Sequence, residues 1–521
     1  MDLKRLLAGV GILLSVGVGG AQVKLATVFS DHMVLQRGVE LPVWGWAAPG
    51  EAVKVTLGAK TLDTKTAVDG RWEVRFPALA AGGKPLAMAV SGTANYLLVK
   101  DILVGEVWLG SGQSNMDFTV AAEDRYWCGA MNEQAEVASA NYPMIRMFKV
   151  KLKMTDAPMQ DVTGQWMVTT PETVKKYSAT GYFFSRGLYE KLHVPVGFID
   201  ASFGASTVQA WISPEVMQQH ADYKYLLDAY AKAKADWGPT AAAKKTAHDA
   251  AQLVWVHKAA MDLSDGKFEP RGSGLGDPGQ NQHNPSVLYN GMIAPLIPYA
   301  IKGAVWYQGE SNEDNASVQI YRSMVESMVG DWRGRWKEGD FPFLYVQLAN
   351  LGELALEPPA KAPIAKVRQA QLENLSIPNS AMAVTIDIGD AGNVHPKNKQ
   401  ELGERLVMLA AHTAYGDAEP SSGPLFDSMK ADGSNVSVRF KDAVGGLGTK
   451  GGAPVGFAIA GDDKKFYWAT AKIVGDSVTL SSAQVQKPVA VRYGWADNPP
   501  VNLYNKAAHP LPASPFRTDA W

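Results

Sequence analysis

The chain has 521 residues, 46% of them hydrophobic and 20% charged, and 50 Lys and Arg against 52 Asp and Glu leave a formal net charge of −2. At about 150 residues per domain this length implies about three domains with real cores, and the near-neutral balance excludes a broad electrostatic grip on nucleic acid. A single cysteine, Cys128, excludes an internal disulfide, a multi-cysteine zinc site and a cysteine-held iron–sulfur cluster.

In chain order, Lys4 and Arg5 precede the apolar run LLAGVGILLSVGVG and the small residues GGAQ. A short positive region, an apolar region and a small-residue cleavage site mark a secretory signal, expected to cover residues 1–21. The run is broken by glycines and is short for a bilayer span, which needs about 20 apolar residues. The mature protein is therefore expected to be exported, periplasmic or extracellular, with no stable membrane span after cleavage. Residues 22–100 alternate apolar and polar residues, with turn signals at Pro49-Gly50 and Asp69-Gly70, and predict an antiparallel β module. From residue 101 the rhythm changes. The buried-strand runs ILVGEVWLG, VPVGFIDASFG, KGAVWYQG, FPFLYVQLA and SAMAVTIDIGD are separated by helix-compatible segments, which predicts βα units around a mainly parallel sheet over 101–415. An Ala- and Lys-rich stretch within about 215–285 reads as a helical insertion followed by a loop. Residues 416–521 return to alternation and predict a C-terminal β module.

In open α/β sheets, ligands bind outside the carboxyl ends of the strands. Four polar motifs fall at such ends: Ser114 in GQSNM, Gly204 in FGAS, Gln308, Glu310 and Asn312 in YQGESN, and His395 in AGNVHPKNK. Each alone is weak, since a Ser between Gly-Gln and Asn is an ordinary turn residue and QGESN also reads as a helix start. If the four strands are parallel neighbours, a nucleophile, hydrogen-bond donors and a base converge on one sheet edge.

These same stretches, WLGSGQSNMDF, WYQGESN and TIDIGD…NVHPKNKQELGERL, resemble the sialate O-acetylesterases of the SGNH-hydrolase carbohydrate esterases. So do VFSDHMVLQRGVELPVWGWAAPGE, ASFGASTVQAWISPE, LYNGMIAPLIPYAIKG and VRQAQL. The resemblance covers most of the chain. It implies a flavodoxin-like, three-layer α/β SGNH domain flanked by β-rich modules, no cofactor, no metal, and removal of acetyl groups from carbohydrate by Ser–His chemistry. It places the nucleophile on Ser114 and the base on His395, with oxyanion donors from the Ser114 and Gly204 backbone and the Gln308 side chain. The residue types suit the chemistry: a hydroxyl needs an adjacent base with the pKa of an imidazole, and preorganised donors stabilise the oxyanion. Asn312 and Asn115 are competing donors. Gln113, Asn115 and Glu310 are expected to support the site, Glu310 by orienting its neighbours.

The acid that would orient His395 is open. Many SGNH enzymes carry an Asp three residues before the His; here that position is Gly392. Asp390 is favoured over Asp387, because Gly392 permits a turn that folds Asp390 back onto the imidazole. A dyad with no side-chain acid is the third option. Trp211 and Arg368 are candidate sugar contacts, Trp127 and Trp306 also flank the motifs, and Arg125 and Arg271 are further cations for an anionic sugar. The Gly475-Asp476-Ser477 string lies between alternating strands and reads as a hairpin turn. The favoured substrate is O-acetylated sialic acid. The alternatives are another acetylated glycan such as xylan, or a degenerate, non-catalytic sugar binder.

Overall fold

The computed structural model describes residues 22–123, 125–264, 275–359, 361–418 and 421–521; the expected export signal and Arg271 lie outside them. Near the N-terminus the period-two alternation becomes antiparallel strands. Leu41–Trp46 pairs with Lys24–Leu25 and Arg71–Phe76, and Ala52–Leu57 pairs with Lys60–Lys65 and Gly82–Ser91. Trp72, Val74 and Phe76 point inward from one strand, as alternation requires.

Strand β1, Tyr96–Gly112, is 17 residues long and belongs to two regions. Its first part pairs antiparallel with Gly82–Ser91; its second part is the centre of the parallel sheet. The boundary expected at residues 100/101 thus falls inside a continuous strand. The chain bends there without breaking: Asp101 takes a φ of 56° and its carboxylate is held by Arg146 at 2.9 Å, while the apolar run from Ile102 onward stays buried.

The other strands of the central sheet are β2 (Tyr142–Val150), β3 (Gly164–Thr169), β4 (Val196–Ser202), β5 (Gly303–Tyr307), β6 (Phe343–Val346) and β7 (Ser380–Ala383), in the spatial order β3-β2-β4-β1-β5-β6-β7. All neighbours are parallel except the edge pair β2 and β3. Without that edge pair the order is second, first, third, fourth, fifth, the doubly wound flavodoxin order, with its switch point at β1. Register shows that both faces are covered. Gly303 pairs with Trp108 and Trp306 with Ser111, so the two tryptophans point to opposite faces. Trp108 meets Phe184 of helix Ala179–Leu192, and Trp306 meets Trp332 of helix Asn315–Trp336.

The Ala- and Lys-rich stretch forms helices Lys224–Trp237 and Ala241–Ser264. The C-terminal strands close over their own core of Val436, Val438, Phe440, Phe457, Val491 and Phe516. Thr470–Val474 and Ser477–Ser481 pair as a hairpin, so Gly475-Asp476 is its turn and Ser477 begins the returning strand. Among the described residues no helix is long and apolar enough to cross a membrane.

Candidate active site

Ser114 is placed by the end of the central strand. Gly112 has a φ of 129°, and a Cβ there would collide with the Tyr307 carbonyl, so glycine is what lets β1 turn out of the sheet between its neighbours. The chain then makes a single helical turn, α1, Ser114–Asp117. Gln113 ties this turn to the end of β5, its Oε1 accepting from the Gly309 and Ser311 N–H groups at 3.2 and 3.3 Å. Ser178 and Thr180, at the start of helix Ala179–Leu192, donate to the Met116 and Asn115 carbonyls at 2.6 and 3.1 Å. Ser114 itself is half-buried. Gly204 follows β4 directly beside it: a side chain starting at Gly204 would stand 3.6 Å from the Ser114 Cβ. Among the described residues neither the Ser114 nor the Gly204 N–H has an acceptor.

His395 arrives from the other side, on the loop after β7. Asn115, next to Ser114, donates from Nδ2 to the carbonyl of Val394, next to His395, at 3.0 Å. The two loops are therefore joined one residue away from each functional side chain. The His395 N–H donates to Asn393 Oδ1 at 2.9 Å, and its ring lies 4.6 Å from that of Trp127, with Phe118 behind. Burial first, then the positive charges of Lys399 and Arg125, push the imidazole down to about 4. The ring is therefore neutral at physiological pH.

Neither expected acid reaches this ring. Asp390 does fold back, but onto the Gly392 N–H at 2.9 Å, and it is exposed. A short Asx turn satisfies its carboxylate locally, which removes any need to reach the imidazole. Asp387 faces inward to the Arg405 guanidinium at 2.7 and 2.8 Å and the Tyr504 hydroxyl at 2.9 Å. Burial works to raise its carboxyl, but Arg405 and Tyr504 outweigh it and hold Asp387 below the usual carboxylate range. Among the described residues no carboxylate is bonded to the His395 ring.

Four further expectations are corrected. Gln308 is fully buried and its amide is spent inside, on the Ser206 carbonyl at 3.1 Å and Asn312 Oδ1 at 2.7 Å. Asn312 is equally buried, accepting from Gln308 and the Val208 N–H and donating to Gln209 Oε1. Both amide hydrogens of Gln308 and of Asn115 are engaged, and Asn312, with one Nδ2 hydrogen on Gln209, is fully buried. Trp211 is fully buried against Trp306, its indole N–H on Ser206 Oγ at 3.0 Å, so it offers no face to a sugar. Arg368 is fully buried too, donating to the carbonyls of Leu348, Ala349, Ala496 and Asp497. It fastens the C-terminal strands to the central domain and is unavailable to substrate. Glu310, expected to orient its neighbours, accepts from Asn115 Nδ2 at 2.6 Å.

The structure places Arg125, a candidate cation above, and adds two lysines that the motifs did not single out. Arg125 stacks over Trp127 at 4.3 Å and pairs with Asp117 at 2.6 Å, one side of it open to solvent. Lys149 bridges Asp117 and Asp200, both at 2.7 Å, beneath the Ser114 turn. Lys399, buried at the first position of helix Lys399–Tyr415, donates to Asn115 Oδ1 at 2.7 Å. A lysine inside an apolar run was the available signal for Lys149, because an ammonium is buried only with partners; the polar stretch around Lys399 gave none. Arg125 carried no such signal.

A half-buried serine hydroxyl, two unpaired N–H groups beside it and a neutral imidazole on an adjoining loop are the parts needed for acyl transfer. A family model described as carbohydrate esterase, sialic acid-specific acetylesterase, matches residues 279–412. The mouse sialate O-acetylesterase is 30% identical over 458 residues, covering 81% of this chain and 78% of that protein. The chain belongs to the sialate O-acetylesterase family. Its orangutan (Pongo abelii) member is 28% identical over 96% of this chain and 93% of its own length. The crystal structure of a carbohydrate acetylesterase from Xanthomonas citri is 34% identical and superposes with a TM-score of 0.79 over 96% of this chain and all of that one. The protein is thus a carboxylic ester hydrolase with an SGNH-type central domain.

Proposed function

We propose that the protein is an exported serine esterase that removes O-acetyl groups from sialic acid. Ser114 Oγ attacks the acetyl carbonyl carbon while His395 takes its proton. The oxyanion is held by the Ser114 and Gly204 N–H groups. Collapse expels the sugar alkoxide, which takes the proton from His395, and leaves an acetyl-Ser114 ester. Water, deprotonated by the same imidazole, then releases acetate and restores the hydroxyl. With Asp390 and Asp387 engaged elsewhere, the catalytic unit is a Ser–His dyad.

The observation that carries this reading is the Asn115–Val394 hydrogen bond, which joins the serine turn and the histidine loop at adjacent residues. Intact Ser114 and His395 argue against a degenerate sugar binder. Residues 1–21 support export through their charged, apolar and small-residue order. The sialic acid assignment is supported by the names of the mammalian relatives, and Arg125 beside His395 is a cation for a substrate carboxylate. A second reading, an acetylated neutral glycan, is favoured by the likeness to the Xanthomonas carbohydrate acetylesterase.

Two measurements test the proposal. Ser114→Ala should lower turnover of a chromogenic acetyl ester by several decades, on the order of 10⁴-fold or more, with thermal stability kept. Near-normal turnover by the folded variant would refute the nucleophile. A panel of acetylated sialic acids and acetylated xylan fragments then decides the sugar, and a preference for xylan would give the second reading the function.

A further inference from the structure

The ammonium of Lys399 is buried, 1% exposed, only four residues after His395. It donates to Asn115 Oδ1 at 2.7 Å and lies over the rings of Phe118 and Tyr307 at 4.8 and 5.2 Å. That donation decides which way the Asn115 amide points. With Oδ1 turned to Lys399, both Nδ2 hydrogens face the other way, one to Glu310 Oε1 at 2.6 Å and one to the Val394 carbonyl at 3.0 Å. A flipped amide would set two donors against an ammonium and a carbonyl oxygen against a carboxylate. The Val394 carbonyl would then lose its tie, and with it the link from the serine turn to the histidine loop.

We propose that Lys399 is a positioning residue of the esterase, fixing the Asn115 amide so that the Ser114 turn and the His395 loop stay in register. The inference rests on the Ser–His reading above. In a site where no carboxylate is bonded to the imidazole among the described residues, a buried cation and an asparagine take over the task of placing the base. The charged groups acting on His395 are Lys399 and Arg125, and its ring neighbours are Trp127 and Phe118. Lys399 in turn faces Glu310 and Cys128.

The test uses the mature enzyme, a chromogenic acetyl ester and two neutral replacements, Lys399→Gln and Lys399→Met. The glutamine keeps a donor for Asn115 but loses the charge; the methionine loses both and keeps the packing. Both variants should move the acid limb of kcat/KM upward from about pH 4 toward 6.5. Lys399→Met should also lower kcat by about tenfold to a hundredfold with little change in KM, as misplaced reacting groups do, and Lys399→Gln by clearly less. If Lys399→Met fails to fold, the acid limb of Lys399→Gln carries the test alone. Folded variants with wild-type kcat and an unmoved acid limb would overturn the positioning role. A Ser114→Ala enzyme as active as wild type would instead overturn the reading beneath it, so the two failures are told apart.

Discussion

The imidazole of His395 is the residue on which the pH behaviour turns. Because burial, Lys399 and Arg125 lower it to about 4, the acid limb of kcat/KM should bend near pH 4 rather than near 6.5, and the measurement is a pH–rate profile on an acetyl ester. A limb near 6.5 would mean that the imidazole does not feel those charges in solution. The two aspartates separate in the same assay. Asp390→Asn should leave turnover near wild type, since its carboxylate serves a surface turn. Asp387→Asn should cost about 3 kcal/mol of stability by breaking a buried ion pair with Arg405, while the folded fraction keeps its turnover. A large loss of turnover in Asp390→Asn with structure intact would restore it as the orienting acid. The placement of Ser114 and Gly204 was legible because each follows an apolar run of strand length, and His395 lies on the loop after the last such run. Which polar groups remain available there was not legible. Asp390 is satisfied by a turn two residues on, whereas Gln308 and Asn312 are engaged by Ser206, Val208 and Gln209, far away in the chain, and chain order says nothing of such partners.

At the scale of elements, the site depends on how β1 ends and how the C-terminal strands are pinned. Gly112→Ala should be strongly destabilising or inactive, because it adds a Cβ at a φ of 129° against the Tyr307 carbonyl. Activity and melting temperature near wild type would contradict the placement of the serine turn. Arg368→Met should destabilise by about 3 kcal/mol or more, leaving four carbonyls without their charged donor. Its effect should appear in chemical denaturation as weakened coupling of the C-terminal strands, with KM for substrate unchanged in the folded enzyme. The parallel sheet was readable from alternating strands and helices. The length of β1 was not, because a strand shared by two sheets gives the same apolar and alternating signals as two strands with a boundary between them.

For the whole molecule, the buried titratable groups set the pH dependence of folding. His395 and Lys399 both titrate lower in the fold than in the unfolded chain, at about 4 against 6.5 and about 7 against 10.5. Between each pair of values the unfolded chain binds the extra proton, so stability rises with pH there. The His395 contribution should decline as pH falls from 6.5 toward 4, opposed by Glu338, whose carboxyl burial raises to about 8; the difference between wild-type and His395→Gln melts isolates it, and a difference that does not change with pH would contradict the placement of the imidazole. The central claim is that Ser114 carries the acyl group, and active-site labelling tests it most directly. The enzyme is treated with a fluorophosphonate, digested and mapped by mass spectrometry. The predicted result is a single adduct on Ser114, formed in step with loss of esterase activity and much more slowly in His395→Gln. An adduct on another serine that tracks the loss of activity, with Ser114 unmodified, would contradict the account.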